Sequence, residues 1–291
     1  MGWNVTDDLE EFAAAADGLL HGDRVGHTVP LTVLEVLRVQ GTDVYGQPAL
    51  FGWWSPNGGP AEAILLLSGG RFELLLSDMP GATAAELAGL LVDRNVQVPG
   101  VHAAPATAEA FAAAWAARTG VTGMPGMRQR LYRLAELRAP EPMPPGEARV
   151  ATEDDFEIVR EFFQGFERDA HGAVGGGNPA LVRDRIGFGG VCLWEVDGEP
   201  VAVAGRTRVV AGMARVAPVY TPPEHRRHGY GSAATVAVSQ VARAVGAEEV
   251  VLFTDLGNPT SNSIYQAIGY RPVADRLVIS FGGAGHGDSR R

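Results

Sequence analysis

The sequence predicts an α+β chain of two tandem domains that share one element order. Three observations lead there. The stretch "LRAPEPMPPGEARV", Leu137 to Val150, is proline-rich and aperiodic, and it divides the 291-residue chain near its middle. Each half then reads helix, helix, three strands, helix, strand, helix, strand. Between two β-type runs of the second half, "DGEP" carries Asp197-Gly198, a hairpin signal that makes those strands antiparallel and the sheet mixed. The expected boundaries are 1–137 for the first domain, 138–148 for the linker and 149–281 for the second domain. The glycine-rich residues 282–291 are an expected disordered tail.

Taken in order, "DDLEEFAAAADGLL" and "TVLEVLRV" show the spacing of amphipathic helices, and "ALFGWW", "EAILLLS" and "FELLLSD" are short apolar runs of strand type. A helix "TAAELAGLLVDRN", a short strand near "GVHA", a helix "TAEAFAAAWAART" and a strand "RQRLYRLAEL" complete the half. Trp53 and Trp54 fit a core strand, with a pocket or interface role as the alternative. In the second half, Thr152 followed by acidic residues starts the helix "TEDDFEIVREFFQGFERD". The helix "PALVRDRIGF" precedes three strands, "VCLWEV", "PVAVAGRTRVV" and "MARVAPVY". A loop, a helix from Ser232 to about Val245, a strand "EVVLFTD", a helix around "SNSIYQAI" and a strand "RPVADRLVISF" follow.

Composition narrows the function classes. A net charge of −10 argues against extended nucleic-acid contact and favours cationic small partners. No run approaches a membrane span, and the acidic N-terminus is unlike a secretory signal, so the expected location is cytoplasmic. The single cysteine, Cys192, excludes an internal disulfide and a cysteine-based zinc cluster; it reads as a core thiol. His225 and His228 lack a third ligand at recognisable spacing, so no metal is expected.

The chemistry concentrates in "VYTPPEHRRHGYGS", a strand, a glycine loop and a helix start. That order suits a phosphate, because glycine-flanked amides are exposed and the helix dipole favours an anion. Gly229-x-Gly231-x-x-Ala234 also fits a dinucleotide fingerprint, but antiparallel strands before the loop and too little chain after it count against that fold. A nucleotide P-loop lacks its lysine, since the chain has none.

Arg226-Arg227-His228-Gly229-Tyr230-Gly231 resembles the [Gln/Arg]-x-x-Gly-x-[Gly/Ala] pyrophosphate loop of the Gcn5-related N-acetyltransferases (GNAT). Downstream, "NPTSNSIYQAIGYRPV" resembles that family's second motif, an Asn seven residues before a helix-borne Tyr. The resemblance implies an α/β/α fold with splayed central parallel strands. It places Val219, Tyr220 and Thr221 at the end of the fourth strand against pantetheine, and Arg226, Arg227, His228, Gly229, Tyr230, Gly231 and Ser232 at the pyrophosphate. It further implies that Asn258 contacts the cofactor arm and that Tyr265 is the general acid near the thioester sulfur.

Many members of that family carry a glutamate on the fourth strand as base. "MARVAPVY" has none, which leaves Glu167, Asp169, Glu195, Asp255 or a water relay. The corresponding loop of the first half, "MPGATAA", has one glycine and no arginine, so that half is expected to be a degenerate copy unable to bind the cofactor in the same way. An unrelated α+β domain is the alternative for that half.

The expected activity is acetyl transfer from acetyl-CoA to a primary amine of a small molecule in a ternary complex. A protein N-terminus or lysine acetyltransferase and a non-catalytic acyl-CoA-binding sensor are the alternatives. A homodimer is left open.

Overall fold

The computed structural model describes residues 2–69, 72–171 and 177–282; the expected disorder of the tail falls, from residue 283 on, outside the described residues. The elements run β1 (Gly2–Thr6), α1 (Leu9–Gly22), α2 (Thr28–Gln40), β2 (Leu50–Ser55), β3 (Ala63–Leu67), β4 (Leu74–Leu76), α3 (Gly81–Asp93), β5 (Gly100–Ala103), α4 (Pro105–Thr119) and β6 (Gly123–Leu134). The second series is β7 (Glu147–Val150), α5 (Phe156–His171), α6 (Pro179–Gly187), β8 (Val191–Val196), β9 (Glu199–Arg206), β10 (Met213–Tyr220), α7 (Tyr230–Ala244), β11 (Glu249–Asp255), α8 (Pro259–Ala267) and β12 (Tyr270–Phe281). Both halves thus open on a short strand that the sequence reading omits. β7 begins inside the expected linker, because its four residues pair with β8 from Glu147↔Glu195 to Val150↔Cys192.

Two compact units emerge, and they are not contiguous stretches. The first unit comprises residues 1–23, 36–129 and 274–291, and the second comprises 24–35 and 130–273. This differs from the division at residue 137, and the reason lies in the last strand of each half. β12 pairs with β5 from Leu277↔Ala103 to Ser280↔Gly100, so Leu277, Ile279 and Phe281 fill the core of the first unit. β6 lies beside β11, and its Tyr132 and Leu134 belong to the core of the second unit. Each unit is completed by the final strand of the other half.

In the first unit the strand order is β1-β2-β3-β4-β5-β12, antiparallel except for β4 beside β5. Trp53 and Trp54 lie in β2 opposite Asn4 and Trp3, as members of the sheet. α3 and α4 cover a core in which Phe281 stacks on Trp115 at 5.5 Å.

The second unit has the order β6-β11-β10-β9-β8-β7. The β8–β9 hairpin turns through Asp197 (φ 52°) and Gly198 (φ 84°), the two left-handed positions that such a turn requires. α7 buries Ala233, Ala234, Val236, Val238 and Ala242 on one face of this sheet; Cys192 lies in the same core, where burial pushes its thiol up to about 11. α5 and α6 pack a phenylalanine-rich core on other residues of the same strands, among them Leu193, Val203 and Tyr220.

The first turns of α2 belong to the second unit. Arg24 pairs with Glu248 at 2.7 Å, Arg215 donates to Thr32 at 2.9 Å, and Thr28 meets the Met213 sulfur at 3.0 Å.

Candidate active site

The site is built where two parallel strands part. β10 and β11 pair from Met213↔Glu249 to Val216↔Leu252. Beyond Val216, β10 bulges and stays with β9 through Val219↔Ala204 and Tyr220↔Val203. The end of β10, with Val219, Tyr220 and Thr221, therefore leaves β11 and presents backbone polar groups to the gap. An extended amide-bearing chain can pair there as a strand does.

Pro222 and Pro223 then stop the strand, and a tight turn covers Pro223–His225. Left-handed backbone at Arg227 (φ 68°) and Gly229 (φ 84°) swings the chain into α7. The first intrahelical bond runs from the Ala233 amide to the Gly229 carbonyl at 3.1 Å, and the cap residue has no side chain to offer. The amides of Tyr230, Gly231 and Ser232 are therefore the uncapped donors of the helix start, at the end that carries about half a positive charge. A Cβ on Gly231 would stand 3.1 Å from Thr221 Oγ1, so glycine lets the helix start approach the strand end. An anion cradle of this form fits the pyrophosphate of coenzyme A.

The two loop arginines have different surroundings. Arg226 donates through Nε to the Thr221 carbonyl at 2.9 Å, forms an ion pair with Asp169 of α5, and lies over the Tyr220 ring at 5.9 Å. It ties the loop to α5. Arg227 is exposed beside it. His228 stacks on Tyr230 at 5.4 Å, and its Nδ1 lies 3.3 Å from the His225 carbonyl. Among the described residues no cluster of three or more His, Cys, Asp or Glu side chains could hold a metal ion.

Asn258 and Tyr265 stand on α8, the element after β11. Asn258 is the N-cap, with Oδ1 accepting from the Ser261 amide at 3.0 Å, so part of its side chain is spent on the helix. Tyr265 is half-buried against the α7 core and meets Tyr270 edge-on at 6.2 Å. Burial pushes its hydroxyl up to about 12, which keeps it a neutral O–H donor at physiological pH.

Three of the four acidic side chains named from sequence are engaged elsewhere. Asp169 holds Arg226, Glu195 accepts from Arg149 at 2.7 Å, and Asp255 Oδ1 accepts from the Gly257 amide at 2.8 Å. Glu167, the fourth, lies on α5. Sequence reasoning missed Tyr132, fully buried on β6, whose hydroxyl reaches α8; the alternation of "RLYRL" marks a strand but not its neighbour.

A mixed sheet opened between two parallel strands, with a glycine-started helix at the opening, is the frame that holds these residues. The sequence profile of the acetyltransferase (GNAT) family matches residues 153–270, less than half of the chain. The fold is similar to a GCN5-related N-acetyltransferase from Kribbella flavida, at 23% identity over 87% of this chain and 96% of that one, TM-score 0.56. A GCN5-related N-acetyltransferase from Sphaerobacter thermophilus is 18% identical over 95% and 94%, TM-score 0.59. A tandem GNAT protein from the clavulanic acid biosynthesis pathway is 15% identical over 98% and 100%, TM-score 0.57. These likenesses establish a GNAT-like fold with two domains in tandem. No curated protein matches the chain. No helix among the described residues is long and apolar enough to cross a membrane.

Proposed function

We propose that this chain is an N-acetyltransferase with one active site, in the second unit, that moves the acetyl group of acetyl-CoA to a primary amine of a small molecule by direct attack in a ternary complex. The observation that carries the reading is the opening of β10 from β11 beside the uncapped start of α7. The β10 edge offers hydrogen bonds to the pantetheine arm, and the amides of Gly231 and Ser232 face the pyrophosphate. Arg227 adds charge there, while Arg226 holds the loop in shape.

Acetyl-CoA supplies an acyl group activated as a thioester. The chain's own tasks are to deliver a proton to the leaving sulfur and to receive one from the amine. Tyr265 serves the first, since its neutral hydroxyl in a poorly solvated place can donate to a developing thiolate. For the second, β10 carries no carboxylate and Asp169, Glu195 and Asp255 are tied to other groups, which leaves Glu167 of α5 or a water relay, and we assign the amine proton to water. The acidic chain suits a cationic acceptor. The same lack of a strand-borne base favours the second reading, a non-catalytic acyl-CoA sensor.

Turnover separates the two. Thermal unfolding should shift upward with acetyl-CoA and not with NAD, and thiol release should follow on adding one of a panel of amino acids, polyamines and amine-bearing antibiotics. Stabilisation without thiol release from any amine, peptides included, would make the protein a sensor. No stabilisation by millimolar acetyl-CoA would remove the donor assignment.

A further inference from the structure

We infer that Tyr132, on the last strand of the N-terminal half, is a positioning residue for catalysis: it sets the placement of α8 and thereby of Tyr265. The inference rests on the acyltransferase reading given above. Tyr132 is fully buried, and its hydroxyl donates to Asn262 Oδ1 at 2.8 Å while accepting from Gln266 Nε2 at 3.2 Å. Asn262 and Gln266 are four residues apart and bracket Tyr265 on the helix. The other end of the Asn262 amide is also committed: Nδ2 donates to the Asp255 carbonyl at 2.8 Å and to the Asn258 carbonyl at 2.7 Å.

One side-chain amide therefore joins the end of β11, the cap of α8 and a tyrosine from β6. These are the bonds that fix α8 where it leaves the sheet. The helix has nine residues and none that is fully buried, Tyr265 being the one packed against the α7 core, so packing alone leaves its orientation loosely held. A buried network in which each group has its partner can hold one orientation where packing does not. Placement to within a fraction of an ångström is what a proton donor to a thiolate requires.

The test is Tyr132→Phe, which keeps the ring, with Gln266→Ala as a surface variant that removes one bond without touching the core. Hydrogen exchange on the full chain is read first, without any ligand. The amides of residues 262–268 should exchange at least tenfold faster in Tyr132→Phe, with α7 unchanged. With acetyl-CoA and the best amine of the panel, kcat should fall about tenfold while the KM for acetyl-CoA stays within twofold, and Gln266→Ala should fall in between. In a Tyr265→Phe background, Tyr132→Phe should cost nothing more.

Unchanged exchange in α8, or the same fold loss in both backgrounds, would overturn the inference. If Tyr132→Phe does not fold, unchanged α8 exchange in Gln266→Ala would overturn it instead. Wild-type turnover in Tyr265→Phe alone would reject the acid assignment, a separate failure that the ligand-free exchange result does not share.

Discussion

The β4–α3 junction of the first unit and the β10–α7 junction of the second occupy the same place in one element order, and they end in opposite chemistry. Both follow a strand that pairs in parallel with the next, Leu74↔Val101 and Leu75↔His102 in one, Met213↔Glu249 onward in the other. The first junction has only residues 77–80, and Pro80 stands at the N-cap of α3 without a side-chain cap bond. The Met79 amide donates to Thr107 Oγ1 at 3.3 Å, and Asp78 pairs with Arg276 at 3.2 Å. The second junction, residues 221–229, has two left-handed residues, and the first amides of α7 likewise have no side-chain cap. The second junction carries Arg226 and Arg227, whereas the first has no arginine, and on that difference we assign the anion to the second. What separates them is loop length, the left-handed turn at Arg227 and Gly229, and the arginines of the second loop, since the framework is shared.

The comparison can be broken most severely at the loop itself. Gly231→Asp puts a side chain against Thr221 and a charge against the phosphate, so the acetyl-CoA-dependent rise in melting temperature should vanish with the fold retained. The matching change in the other unit, Gly81→Asp, should leave that rise intact, because the Cβ there meets only Ala110 at 3.4 Å and the loop before it is not the one assigned to the donor.

Next in size is Phe281→Ala, which removes a ring stacked on Trp115. It should cost about 3 kcal/mol in chemical denaturation, the low end for a buried phenylalanine, because the residue ends its strand. Acetyl-CoA affinity should stay as it was.

Tyr265→Phe tests the chemistry of the second unit alone. Thiol release should fall about 100-fold in kcat with little change in cofactor affinity. Wild-type turnover would remove Tyr265 from the mechanism.

A smaller effect marks the second unit by its pH dependence. Arg149, held by Asp155 at 2.6 Å and by Glu195 at 2.7 Å, keeps the Asp155 carboxyl down at about 2, against an ordinary value near 3.8. A depressed carboxylate stabilises the fold above its ordinary value, and that contribution disappears as pH falls toward 2. Asp155→Asn should therefore cost about 2 kcal/mol at pH 6, and the difference from the unmodified chain should shrink between pH 4 and 2.

The local geometry of the loop was easier to read from the sequence than the division of the chain. The loop was legible because prolines, glycines and a helix start are local signals, and Asp197-Gly198 announced its hairpin for the same reason. β1 and β7 were not legible, since four- or five-residue edge strands with polar letters give too short an alternation. The exchange of β6 and β12 was hidden for a different cause: a period of two reveals a strand and says nothing of its neighbour. Arg226 shows the same limit within the site. Its motif position suggests a phosphate ligand and gives no sign of its partner Asp169, 57 residues earlier on α5.

The central claim is that only one of two similarly built junctions takes the donor. A calorimetric titration of the full chain with acetyl-CoA tests it most directly. One equivalent bound per chain is the predicted result; two equivalents, or none, would contradict it.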